Sequence, residues 1–170
     1  MLNIVAGQQK RKELEHLVGF VIGRELGARS TLFHQALANL AGVSVTDLKC
    51  LDYVDRKGDV TAGDLAQLTG LTTGAITAAI DRLEKAGLAK RERSERDRRK
   101  VFIRLCPSPA MARLLPFYEA LGRESAQMVT RYSTQQLKTI KDFCERCIDI
   151  LRRQTEAVLS SSKAERNGSK

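Results

Sequence analysis

Leu65, Ala66, Gly70, Leu71 and Ile76 place two short helices on either side of one tight turn, and no other stretch of the chain restricts its fold so narrowly. Each helix carries its own start signal. Thr61 with Asp64 three positions on has the spacing of a capping box, and Thr72 offers a second side-chain oxygen to the open N–H groups of the next first turn. Gly70 supplies the left-handed backbone that a tight turn needs, and Ala66 is small where two helix backbones approach. The second helix buries Ile76, Ile80 and Leu83 and ends at Ala86-Gly87. This is helix-turn-helix spacing, although an ordinary helical hairpin uses the same small residues.

The next segment favours the first reading. Past Gly87 the helical spacing gives way to two short runs, Leu88 to Arg93 and Val101 to Leu105, the second alternating Val101, Ile103 and Leu105 against Phe102 and Arg104. Between Lys90 and Lys100 lie seven basic residues (Lys90, Arg91, Arg93, Arg96, Arg98, Arg99, Lys100) and three acidic ones (Glu92, Glu95, Asp97), a net +4 out of the chain's +9. A charge run alone is usually a solvated face. Directly after a helix-turn-helix, a basic hairpin is a wing that can set an arginine in the narrow minor groove. The helix capped by Thr72 would then enter the major groove, its N-terminal residues near base edges. The residues expected at double-stranded DNA are therefore Thr72, Thr73, Gly74, Ala75, Thr77 and Arg82 from the helix, with Arg96, Arg98, Arg99 and Lys100 from the wing; Lys85 lies further along the helix.

Long helices are expected on both sides. From about Gln8 to Leu40, Leu14, Leu17, Val18, Val21, Ile22 and Leu26 recur at helical spacing, with Gly19, Gly23 and Gly27 as places for a kink. Ser44 with Asp47 then opens a short helix carrying Leu48, Leu51 and Val54. After Pro107 and Pro109 a helix runs to about Tyr132, and Ser133 with Gln136 opens a last long one bearing the stripe Leu137, Ile140, Cys144, Cys147, Leu151 and Val158. The expected organisation is an N-terminal dimerisation helix over 1–42, a winged helix-turn-helix over 43–106, C-terminal dimerisation helices over 107–159, and a flexible tail over 160–170. The fold class is mainly α, with a two-stranded β-hairpin wing. A small winged unit cannot cover the apolar faces of the helices at both ends, so burial against a second copy is the economical solution. A homodimer would set two recognition helices about one turn of DNA, ~34 Å, apart.

The chain resembles the MarR family of winged helix-turn-helix transcriptional regulators over roughly residues 13–159. The matching stretches are Asp64-Leu65-Ala66, Gly74-Ala75-Ile76-Thr77, Asp81-Arg82-Leu83-Glu84-Lys85-Ala86-Gly87-Leu88 and, most specifically, Asp97-Arg98-Arg99-Lys100-Val101. The resemblance implies that Asp97 orients the wing loop and Arg99 enters the minor groove. It further implies a triangular homodimer that reads a pseudo-palindrome, acts as a repressor, and is released by a small aromatic or anionic effector bound between the dimerisation helices and the winged domain. Phe20, Phe33, Tyr53, Phe117 and Tyr118 are the aromatic residues available for such a pocket, and core packing accounts for each equally well. Two departures stand out. Ala78 replaces the arginine that many members carry after the recognition-helix threonine, and Cys106-Pro107-Ser108-Pro109 replaces a Thr-Gly exit from the second wing strand.

Composition narrows the alternatives. A pI near 9.7 suits a polyanionic partner. The N-terminus does not read as a secretory signal, and the apolar stretch from Leu17 is stopped by Arg24 and Glu25, so a cytoplasmic protein with no membrane partner and reduced thiols is expected. Cys144 and Cys147 fit small apolar packing positions; the different-class alternative is a thiol-based redox sensor or enzyme acting through them, and Cys50 and Cys106 leave a thiol sensor open. His16 and His34 read as surface or interface residues rather than metal ligands. With no phosphate loop, metal-ligand cluster or nucleophile elbow, neither an enzyme nor a cofactor is expected. Structured RNA is the remaining alternative partner.

Overall fold

In the computed structural model the backbone is described for residues 2–97 and 99–168 and the side chains for 7–97 and 99–161, so Arg98 of the expected wing lies outside the described residues. The chain forms two compact units, 1–114 and 115–170.

The first unit begins with α1 (Leu2–Phe20), passes through a π-helical turn at Val21–Leu26 and continues as α2 (Gly27–Ala41), with helical backbone at both junctions. The expected kink thus takes the form of a widened turn around Gly23, which shifts the register of the apolar residues beyond it. Gly42, at φ 68°, ends the run. Helix α3 (Val45–Lys57) starts at Ser44 with the expected capping box: Asp47 N–H donates to Ser44 Oγ (3.1 Å) and Ser44 N–H to Asp47 Oδ2 (2.9 Å).

Strand β1 (Val60–Thr61) leads into α4 (Ala62–Thr69), Gly70 turns the chain at φ 71°, and α5 (Thr73–Lys85) follows. Strands β2 (Ala89–Arg93) and β3 (Val101–Leu105) form the hairpin, pairing Ala89 with Leu105 and Arg93 with Val101. The sheet has three strands in the order β1-β3-β2, not two. The reason lies at the cap of α4: Thr61 is already extended (φ −92°, ψ 166°), and the residue pair before the helix lies against β3 as Val60 to Ile103 and Thr61 to Phe102. The core joins all these elements through Leu48, Leu65, Ile76, Ile80, Leu83, Leu88 and Ile103, each at most 2% exposed. Full burial of such side chains contributes about 1.5–3 kcal/mol each, which is what holds short helices in place.

Helix α6 (Pro109–Val129) starts from Ser108, whose Oγ accepts from Met111 N–H (3.2 Å) and donates to Gly87 O (2.5 Å). The Ser-Pro exit from the wing is therefore tied to the end of α5. Pro116 lies inside α6 and removes one N–H from its ladder. The second unit holds the rest of α6 and α7 (Thr134–Gly168), opened by the Ser133–Gln136 box. Helix α7 continues beyond Ser160, where the sequence suggests a frayed tail; Ser160 and Ser161 turn their hydroxyls back onto the carbonyls of Glu156 and Ala157, which lets the helix accommodate them. On the apolar stripe of α7, Leu137 is half-buried and Ile140 is exposed. Leu151 is 67% exposed, Cys144 is exposed and Cys147 half-buried, where the sequence suggests packed positions. Among the described residues no helix is long and apolar enough to cross a membrane.

Candidate nucleic-acid interface

Helix α5 is anchored by one face and open on the other. Ile76, Ala79, Ile80 and Leu83 sit in the core, while Thr72, Thr73, Gly74, Ala75, Thr77 and Ala78 are exposed. Thr72 caps the helix from an extended backbone (φ −68°, ψ 153°), its Oγ1 accepting from Ala75 N–H at 3.3 Å. The expected N-terminal residues of the recognition helix thus form one continuous exposed surface.

Arg82 is engaged within the unit. Its guanidinium makes a two-pronged contact with Asp47, Nε to Oδ2 at 2.9 Å and Nη2 to Oδ1 at 2.8 Å. Asp47 is 0% exposed, so the pair fixes α5 to the first turn of α3. Burial alone would raise the Asp47 pKa, but the Arg82 hydrogen bond and those of Ser44 outweigh it and hold the carboxylate below its usual range. No spacing rule links residues 47 and 82, which is why the sequence alone leaves Arg82 among the DNA-facing candidates.

On its other side α5 is latched to the wing. Arg91 of β2 pairs with Asp81 (Nη2 to Oδ1, 2.7 Å) and with Glu84, whose Oε1 also accepts the Arg91 N–H at 2.7 Å. Lys90 pairs with Glu92, and Arg104 of β3 contacts Asp59 and Glu92 while lying over the Phe102 ring. Acids from α5, from β2 and from the turn before β1 are thereby paired with cations of the hairpin base.

The tip is built around Asp97. Its Oδ1 accepts from Arg99 N–H (3.1 Å) and Arg99 Nε (3.5 Å), and its carbonyl accepts from Lys100 N–H (2.9 Å). Ser94 closes the loop: its N–H donates to Lys100 O at 3.0 Å and its Oγ accepts from the N–H groups of Arg96 and Asp97. Arg96 and Lys100 are exposed, and the Arg99 side chain is 94% exposed. The acid turns the backbone; the arginine projects.

Cys50 is buried, and burial followed by the nearby Asp47 charge pushes its thiol pKa up, which disfavours the thiolate that redox chemistry needs. All four cysteines are free, and among the described residues no group of three His, Cys, Asp or Glu could hold a metal. The His34 ring lies against Ser30 and Lys49. Phe33 and Tyr53 pack at the edge of the core, whereas Phe20, Phe117 and Tyr118 are more exposed.

Comparison with known proteins gives a consistent picture. The sequence profile of the MarR family matches residues 41–100, which span α3 through the wing loop. The chain is 37% identical over 150 residues, 88% of its length and 96% of the relative's, to the uncharacterized HTH-type transcriptional regulator YcgE of Bacillus subtilis. Among solved structures it is similar to the transcriptional regulator BldR of Sulfolobus solfataricus (26% identity, TM-score 0.51, covering 85% of this chain and 96% of that one). It also shares the fold of Streptococcus pneumoniae FabT, solved in complex with DNA (20% identity, TM-score 0.54, 77% and 97% covered).

Proposed function

From the premise that this chain belongs to the MarR family of DNA-binding transcriptional regulators, we propose that it is a repressor that binds pseudo-palindromic duplex DNA as a homodimer. The observation that carries the reading is the wing tip: Arg99 projects from a loop whose backbone is held by Asp97, on a hairpin latched by Arg91 to the helix that exposes Thr72, Thr73, Gly74, Ala75, Thr77 and Ala78. An arginine so placed suits a narrow minor groove, and the helix beside it suits the adjoining major groove.

Uncovered apolar side chains in each unit support the dimer. Leu17 and Leu26 of the first helical run and Ile148 and Leu151 of α7 are all more than half exposed, and a second copy of the chain is the occupant that would cover them symmetrically. Release by a small aromatic or anionic effector, and action in the cytoplasm where the operators would lie, rest on the family relationship alone.

Two measurements test the proposal. Sedimentation of the purified chain should give a dimer, and a monomer at micromolar concentration would remove the two-half-site reading. Titration of a duplex pool should show affinity falling steeply with salt, with log K against log salt sloping by about −0.9 per neutralised phosphate. A flat slope, or stronger competition by duplex RNA than by duplex DNA, would overturn the choice of partner.

A further inference from the structure

The exposed end of α5 is unusual in what it lacks. From Thr72 to Ile80 there is no Arg, Lys, Asn, Gln, Asp or Glu. Guanine is commonly read by two-pronged Arg or Lys, adenine by Asn or Gln, and cytosine by Glu or Asp. Further along, Asp81 and Glu84 hold Arg91, and Arg82 holds Asp47. Lys85 lies eight residues beyond Thr77, about 12 Å along the axis at 1.5 Å per residue, which suits a phosphate better than a base.

What this end does offer is small. Thr73, Ala75, Thr77 and Ala78 are exposed, and each ends in a methyl group. The Thr77 hydroxyl already donates to Thr73 O (3.0 Å) and the Thr72 oxygen already accepts from Ala75 N–H, so the polar ends of both have partners on the helix itself. Such short side chains can reach base edges only if the helix comes close. Gly74 fits that need: among the described residues a Cβ there would meet nothing within 4 Å beyond its own stretch of helix, so its absence serves no packing against the rest of the protein.

We propose that α5 reads the C5-methyl groups of thymine, so that each half-site is defined by thymines opposite Thr73, Ala75, Thr77 and Ala78 rather than by hydrogen bonds to guanine. This rests on the DNA-binding reading above and gives it a sequence preference. The wing agrees with it, because A·T-rich DNA narrows the minor groove and deepens the negative potential that Arg99 would enter. One class of sequence therefore satisfies both elements.

The test uses the full chain and a site enriched from a random duplex pool. One set of probes carries deoxyuridine for thymine, which deletes only the C5-methyl; a second carries 7-deazaguanine for guanine, which deletes only the major-groove N7 acceptor. Each contacted methyl should be worth about fourfold in affinity, and two in one half-site roughly sixteenfold, while the 7-deazaguanine probes stay within about twofold of the parent. Uridine probes that bind within about twofold of the thymine parent, or 7-deazaguanine probes that lose about tenfold, would overturn the methyl reading and leave DNA binding standing. Failure to enrich any duplex would instead remove the DNA-binding reading, and this inference with it.

Discussion

Helix α5 and the wing tip are the two elements proposed to meet DNA, and they handle charge in opposite ways. Both acids of α5 and its Arg82 are in ion pairs with the rest of the winged unit, whereas Arg99 stands 94% exposed and is paired with Asp97 of its own loop. The pairs on α5 set where the helix lies, one toward α3 and one toward β2. The charges at the tip remain for a partner. On the proposed function, position and sequence reading would fall to α5, and electrostatic attraction to the wing.

The largest effect that can sharpen this contrast comes from Asp47. Asp47→Ala removes both the capping box of α3 and the anchor of Arg82, and should lower unfolding free energy by about 3 kcal/mol in a urea titration. A loss below about 1 kcal/mol would show that α5 is held by apolar packing alone. The same pair sets an acid limb. Because the folded carboxylate is held below its ordinary value, its contribution is complete above about pH 4 and disappears as pH falls through the folded value. In Asp47→Asn that part of the stability loss between neutral and acid pH should be missing, so the acid limb should be shallower than in the parent. An identical limb would exclude Asp47 as its source.

Arg99→Ala should do the opposite of Asp47→Ala. Binding should weaken by roughly 1–3 kcal/mol, read as a shift of the duplex titration at fixed salt, with the unfolding midpoint unchanged. Should the midpoint fall as well, the tip would be a structural element like α5 and the contrast between the two would fail.

How legible these features were in the sequence depended on whether their cause was local. The caps at Ser44, Thr61, Thr72 and Ser133 each involve residues three apart, so each helix start was readable and each appears in the structure. The hairpin was readable from its change of period. Strand β1 was not: its two residues carry no pattern of their own and exist as a strand only because Ile103 and Phe102 lie opposite. The Arg82 anchor was not legible for a similar reason, since its partner lies 35 residues upstream and nothing local marks a cation as the mate of a buried carboxylate. Gly19, Gly23 and Gly27 hinted at a kink without saying that it would be a π turn, because a glycine lowers the cost of many distortions and selects none. The α7 stripe was legible as apolar, but a single chain's sequence does not say what covers it.

The smallest predicted effect is the one in which stability and binding should move apart. Gly74 has helical backbone and no positive φ, and among the described residues a Cβ there would meet nothing within 4 Å beyond its own stretch of helix. Gly74→Ala should therefore raise unfolding free energy by about 0.4–1 kcal/mol, mainly by restricting the unfolded chain. If α5 must bring its backbone close to base edges, the added methyl should at the same time weaken duplex binding, because it occupies the clearance that the short side chains around it depend on. Opposite signs in the two measurements would place the role of Gly74 in the bound state. A variant that is both more stable and equally tight would show that the helix lies further from the bases than Thr73, Ala75 and Thr77 can reach, and would hand sequence reading as well as affinity to the wing.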